Sequence, residues 1–254
     1  MRAIWTGAIG FGLVNIPVKL YSATQQSDLN LDMLDKKDHA HIKFKRVNEN
    51  TGREIAWNNI VKGYKYQGDY VVLGDKDFEE ASPKKSKLIE ITDFILEEEV
   101  DSVFYETPYF LEPQKSGMKA YALLREALKK SGKAGIGSFV LRNKEHLCIL
   151  RPYEKNAIVL NRLRFQEEVR DPADLSLPKE KPKPNEMKMA LSLIDQLTRR
   201  FDIKKFKDTY TAELLKLIKA KAKGKSVKPS PLKVTHRKSD DLMSQLKASI
   251  KKAS

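Results

Sequence analysis

Through the first 165 residues of this chain, apolar and polar side chains alternate at period two again and again, a pattern that an extended backbone sorts onto two faces. Val14, Ile16, Val18 and Leu20 form one such run. HIKFKRV at 41–47 repeats it, with Ile42 and Phe44 expected on one face and Lys43 and Lys45 on the other. YVVL at 70–73, KLIEITDFI at 87–95, VFYETPYFLEP at 103–113, IGSFVLR at 136–142, HLCILRPY at 146–153 and AIVLNRLRF at 157–165 read as further strands. NENTG at 48–52 and Asn143-Lys144-Glu145 supply turns. The expected fold is mainly β. The first twenty residues look slightly like a signal peptide. However, Pro17 and Lys19 interrupt the apolar residues and no small-residue cleavage site follows, so a buried strand is the better reading.

One helical period interrupts the strands. In GMKAYALLREALKKS at 117–131, Met118, Tyr121, Leu124, Ala127 and Leu128 share a helical face. Lys129 and Lys130 suit the negative end of the dipole, and Gly132 is a stop signal. The character changes near residue 171, where DPADLSLPKEKPKPN holds four prolines and reads as a linker or extended strap. Beyond it, Met187, Ala190, Leu191, Ile194 and Leu197 mark a helix beginning near Glu186. Tyr210, Leu214, Leu217 and Ile218 mark the buried side of a second helix at 207–222. AKAKGKSVKPSPLK has little to bury and reads as a flexible basic linker. A final helix, capped by Ser239 or Asp240, lines Leu242, Met243, Leu246 and Ile250 along one face and is too short to be stable alone in water. That stripe is either a docking peptide that folds on a partner or a helix that packs back on its own domain. The chain thus divides into residues 1–175, an arm at 176–222 and a tail at 223–254.

Charge follows the same division. The formal charge is +14, and a polyanion is its natural counterpart. Residues 1–175 hold 27 Lys/Arg against 26 Asp/Glu, whereas residues 176–254 hold 21 against 8. Lysines recur at Lys216, Lys219, Lys221, Lys223, Lys225 and Lys228 with no acid among them. Lysine is a mobile point charge suited to sequence-independent attraction of phosphate, and no recognition-helix or zinc-finger motif accompanies these residues. In the first part Lys43, Lys45 and Arg46 lie together, and Arg142, Lys144, Arg151, Arg162 and Arg164 recur through the later strands. These either line a surface that touches phosphates or are solvated charges on outward strand faces.

Catalytic chemistry finds little support. His39 and His41 would share a strand face, but further zinc ligands are missing nearby. The spacing of Gly7, Gly10 and Gly12 fits neither a dinucleotide fingerprint nor a phosphate loop, so these glycines permit bends or close backbone approach. Cys148, the one cysteine, sits in the apolar run LCIL and reads as packing rather than as a nucleophile. It argues against a disulfide framework and favours a reducing cytosol. Glu97, Glu98 and Glu99 have no partners at nuclease spacing, and nothing resembles an activated Ser or Cys triad. No catalytic residue, metal or cofactor is expected, and no stretch approaches the length of a membrane span.

Long ordered segments carry a resemblance. They are MRAIWTGAIGFGLVNIPVKLYSAT at 1–24, KDHAHIKFKRV at 37–47, EIAWNNIVKGYKYQGDYVVL at 54–73, GMKAYALLREAL at 117–128, IGSFVLRNKEHLCILRP at 136–152 and LRFQEEVRDP at 163–172. In these the chain closely resembles the bacterial Ku proteins, DNA-end-binding factors of non-homologous end joining. The resemblance implies a Ku-core β-barrel with an inserted bridge, a helical C-terminal arm and a basic tail. It implies a non-catalytic homodimeric ring that threads double-stranded DNA from its ends without sequence preference, in the cytoplasm and at the nucleoid. It also implies a tail that engages DNA ligase D, here through 238–254 with Leu242, Met243, Leu246 and Ile250. Lys43, Lys45, Arg46 and Arg142 are the expected DNA contacts of the core, with the tail lysines adding affinity. Tyr105, Tyr109 and Phe110 are either dimer elements or core packing within one subunit.

Overall fold

The structure is a computed structural model that describes residues 1–81, 87–154, 156–225 and 242–253. The N-terminal alternation becomes a hairpin of β1 (Trp5–Phe11) and β2 (Val14–Ser22). The chain then makes an excursion carrying β3 (Lys62–Tyr66), β4 (Asp69–Leu73) and α1 (Asp75–Ala81). It returns as β5 (Leu88–Leu96), β6 (Tyr105–Pro113), α2 (Met118–Ser131), β7 (Lys133–Leu141), β8 (Lys144–Tyr153) and β9 (Ala157–Leu163). Seven strands close a barrel in the order β1-β2-β6-β9-β8-β7-β5, antiparallel throughout except where β5 meets β1. That closure needs Gly7, where a Cβ would stand 2.3 Å from the Lys87 carbonyl oxygen. Gly12 turns the first hairpin with φ +55°.

Every barrel strand sends an apolar side chain into one core: Ile9, Val18, Ile89, Leu111, Phe139, Leu150 and Leu160 are buried together. Each contributes about 1.5–3 kcal/mol by leaving water. Tyr121, Leu124 and Leu128 of α2 join the same cluster. The Tyr121 hydroxyl donates to the Leu111 carbonyl and accepts from the Ile158 amide, both at 2.7 Å, so one side chain ties α2 to β6 and β9. Met118 and Ala127, expected on this face, are exposed. A second cluster, Ala134, Ile149 and Leu163, lies on the opposite faces of β7, β8 and β9, where Ile95, Val100 and Phe104 pack on it. Burial on both faces explains the unbroken apolar runs of β8 and β9.

Two expectations about strands and turns change. HIKFKRV is not a strand: only isolated bridges form, at His41 with Leu34 and at Val47 with Glu54. Its alternation has no neighbouring ladder to pair with, and alternation without a partner does not make a sheet. The β7–β8 turn is Arg142-Asn143, with φ values of 52° and 67°, rather than Asn143-Lys144-Glu145. Two successive positive φ values match the twist of a two-residue hairpin, which lets Lys144 and Glu145 join the ladder. The seven-residue α1 was not anticipated.

The chain separates into two compact units, Met1–Gln26 with Leu31–Asp171, and Ser27–Asn30 with Pro172–Ser254. The second contains α3 (Pro184–Leu197), α4 (Thr209–Ala222) and α5 (Leu242–Ala253). Pro184 opens α3, and the Glu186 carboxylate accepts from the Lys183 amide at 2.9 Å. Asp208 caps α4 by accepting from the Thr211 amide at 3.0 Å, and its hydrogen bonds from Thr211 hold its carboxyl below the usual carboxylate range. α3 packs against α5. The expected α3 stripe is largely on the wrong side: Met187, Leu191, Ile194 and Leu197 are exposed, while Met189, Ala190 and Leu193 are half-buried. On α4, Leu214 and Leu217 are half-buried as expected, but Tyr210 and Ile218 are exposed.

Candidate nucleic-acid interface

The excursion between β2 and β5 presents charge rather than core. Residues 31–72 are exposed throughout, Ile55 excepted. Residues 36–66 hold eight Lys/Arg against three Asp/Glu, whereas residues 69–80 hold five acids and one lysine. Near-neutral totals therefore conceal a basic stretch followed by an acidic one. Sequence reading singled out Lys43, Lys45 and Arg46 but not Lys36, Lys37, Arg53, Lys62 and Lys65 of the same stretch. A charge count in a window of about thirty residues, rather than by thirds of the chain, finds them.

Local hydrogen bonds shape the basic stretch around residue 50. The Asn48 amide donates to the Arg53 carbonyl, and the Ile55 amide to the Arg46 carbonyl, at 2.9 and 2.8 Å. Within the turn, the Asn48 side-chain oxygen accepts from the amides of Asn50 and Thr51, both at 3.0 Å. This small ladder sets Lys45 beside Glu54, Nζ to Oε2 2.6 Å, and lays the Arg46 guanidinium over Trp57 at 4.3 Å from the ring centroid. Both ionic partners are well exposed, so the pair contributes at most about 1 kcal/mol and yields readily to a phosphate. Arg46 is braced by its ring contact.

The other expected contacts lie elsewhere. Arg142 is exposed on the β7–β8 turn. Lys216 pairs with Glu213 on α4 at 2.6 Å. Lys219 and Lys221 occupy the last turn of α4, followed by Lys223 and Lys225. Among the described residues, no carboxylate lies within ion-pair distance of Lys43, Arg142, Lys219, Lys221, Lys223 or Lys225. Lys228 falls outside the described residues, as do the helix caps Ser239 and Asp240.

The arginines of the later strands are committed within the chain. Arg151 pairs with Glu97 at 3.3 Å, and Arg162 with Glu106 at 2.8 Å. Arg164 donates to the carbonyls of Val103 and Tyr105, both at 2.8 Å, and approaches Glu106 at 3.9 Å. Arg151 and Arg164 brace the β5–β6 connection, where the first member of the acidic run finds its role, and Arg162 joins β9 to β6. His146 packs against Phe139, and burial, with Arg162 and Lys144 nearby, holds its pKa below the ordinary value. Cys148 is fully buried and its thiol pKa is pushed far up by burial, the opposite of an activated thiolate. His39 is exposed with φ 59°, and among the described residues no group of three or more His, Cys, Asp and Glu could hold a metal. Tyr109 is buried in the core, whereas Tyr105 and Phe110 are half-buried.

Comparison with known proteins gives one consistent result. The Ku70/Ku80 beta-barrel domain matches residues 10–190. A protein of Bacillus subtilis named non-homologous end joining protein Ku is 42% identical over 98% of this chain and 82% of its own length. Proteins of the same name from Coxiella burnetii and Archaeoglobus fulgidus are 40% and 39% identical, each over 89% of this chain and over 85% and 90% of their own lengths.

Proposed function

The chain belongs to the Ku family, and on that premise we propose that it binds double-stranded DNA ends, independently of sequence, as a homodimeric ring in non-homologous end joining. The observation that carries the reading is the excursion between β2 and β5, basic over 36–66 and exposed there except at Ile55. Backbone phosphates, not base edges, suit such a lysine- and arginine-bearing surface, and contacts of that kind carry no sequence information.

The same excursion supports a second copy as partner. β3 and β4 form a two-stranded sheet whose Tyr64, Tyr70, Val71 and Val72 are all exposed. A lone two-stranded sheet is marginal in water, and two-fold dimers are the commonest closed assemblies of identical chains. The exposed Met187, Leu191, Ile194 and Leu197 of α3 add apolar area for the same partner. In this reading Lys43, Lys45, Arg46 and Arg142 meet phosphates, with Lys216, Lys219, Lys221, Lys223, Lys225 and Lys228 adding attraction. Leu242, Met243, Leu246 and Ile250 form the segment that engages DNA ligase D, and the protein itself performs no chemistry.

The test compares binding of the full chain to linear duplex and to a covalently closed circle of the same sequence. Preference for the linear form is expected. Equal affinity contradicts the reading and leaves a general polyanion binder that uses the same exposed lysines.

A further inference from the structure

We infer that α5 docks on α3 within the chain, and that this docking competes with the engagement of α5 by the ligase. The inference rests on the ligase-binding reading of α5 given above and adds its regulation.

The two helices select each other's apolar faces. On α5, Met243, Leu246 and Ile250 are half-buried, while Ser244, Gln245, Lys247, Ala248, Ser249 and Lys251 are exposed. Positions i, i+3 and i+7 lie on one side of a helix, so the shielded side carries three residues of the stripe assigned to the partner, the Leu242 side chain lying outside the described ones. On α3, the shielded residues are Glu186, Met189, Ala190, Leu193 and Gln196, again at helical spacing. Its other apolar stripe, Met187, Leu191, Ile194 and Leu197, stays open to solvent. Periodicity alone favoured the open stripe; the packing of α3 against α5 accounts for the choice of the other.

The docking is built to be reversible. Neither α3 nor α4 has a fully buried residue, so this unit lacks the deep core of the barrel. Among the described residues, the Gln196 side-chain oxygen, on the shielded side of α3, is buried with no hydrogen-bond partner, a polar defect that weakens the closed arrangement. α5 has 12 residues, too few to hold a helix alone, so undocking also unfolds it. A partner that needs the α5 stripe then binds with an affinity reduced by the fraction of chains in which α5 is free.

Amide hydrogen exchange on the full chain reads the docking without any ligase. Protection of 242–253 is expected in the native chain, lost in Leu193→Asp and increased in Gln196→Leu, with barrel amides unchanged in both. Ligase D titrations of the same proteins should then show about tenfold tighter binding to Leu193→Asp if free α5 is near a tenth of the native population, and weaker binding to Gln196→Leu. Unprotected 242–253 in the native chain overturns the docking. Altered protection with unchanged ligase affinity overturns the competition. Leu246→Asp separates the two readings: if it frees α5 yet leaves ligase binding intact, the assignment of α5 as the ligase segment fails while the docking stands.

Discussion

Tyr121 shows how much one side chain can hold. Its ring lies in the barrel core and its hydroxyl serves a carbonyl on β6 and an amide on β9. Tyr121→Phe keeps the ring but strands both backbone groups away from water, so a loss of about 1–3 kcal/mol is expected in chemical denaturation. A loss below a few tenths would mean that the two groups find other partners. His146 gives a pH signature. Burial first, then Arg162 and Lys144, favour its neutral form in the folded chain, against weaker opposition from Glu106 and a backbone hydrogen bond at Leu141. Because the folded pKa lies below the unfolded value, this stability is complete above the ordinary pKa of 6.5 and is lost as pH falls through the folded value. His146→Gln should therefore flatten the decline in unfolding free energy between pH 7 and about 5. An unchanged slope would assign the decline to other groups.

At the scale of elements, the proposed function gives the excursion and the tail separable contributions to DNA binding. Reversing Lys43, Lys45 and Arg46 to Glu should weaken binding alike for all sequences. It should also lower the log–log salt slope by about 0.9 for each phosphate that is no longer neutralised. Truncation before Lys216 should flatten the slope further, and an unchanged slope would show that those lysines do not meet DNA. Elements were legible in the sequence where local pattern and tertiary partner agree. β2, β5 and β7 alternate and find ladders on both sides, so they lie close to where alternation places them. Residues 41–47 alternate just as well but have no ladder beside them. α3 carries two apolar stripes, and its packing against α5, more than forty residues away in sequence, goes with the shielding of one of them. Arg151 and Arg162 were indistinguishable from Lys43 in sequence. Glu97 and Glu106, brought to them by the barrel, remove them from the candidate surface.

For the whole molecule, the near-neutral total over residues 1–175 hides a segregation of sign within the excursion, and the proposed function sets its basic stretch against phosphate. The basic tail supplies attraction to any polyanion, but it cannot tell an end from an interior. In the proposed function, preference for ends belongs to closure around the duplex by two copies, a property of the assembly rather than of any one side chain. The most direct measurement loads the protein on a linear duplex, seals both ends with hairpin caps, raises the salt and follows dissociation. Retention on the sealed duplex, with rapid loss from an open-ended control, is the predicted result. Equal dissociation from both would contradict threading and with it the ring.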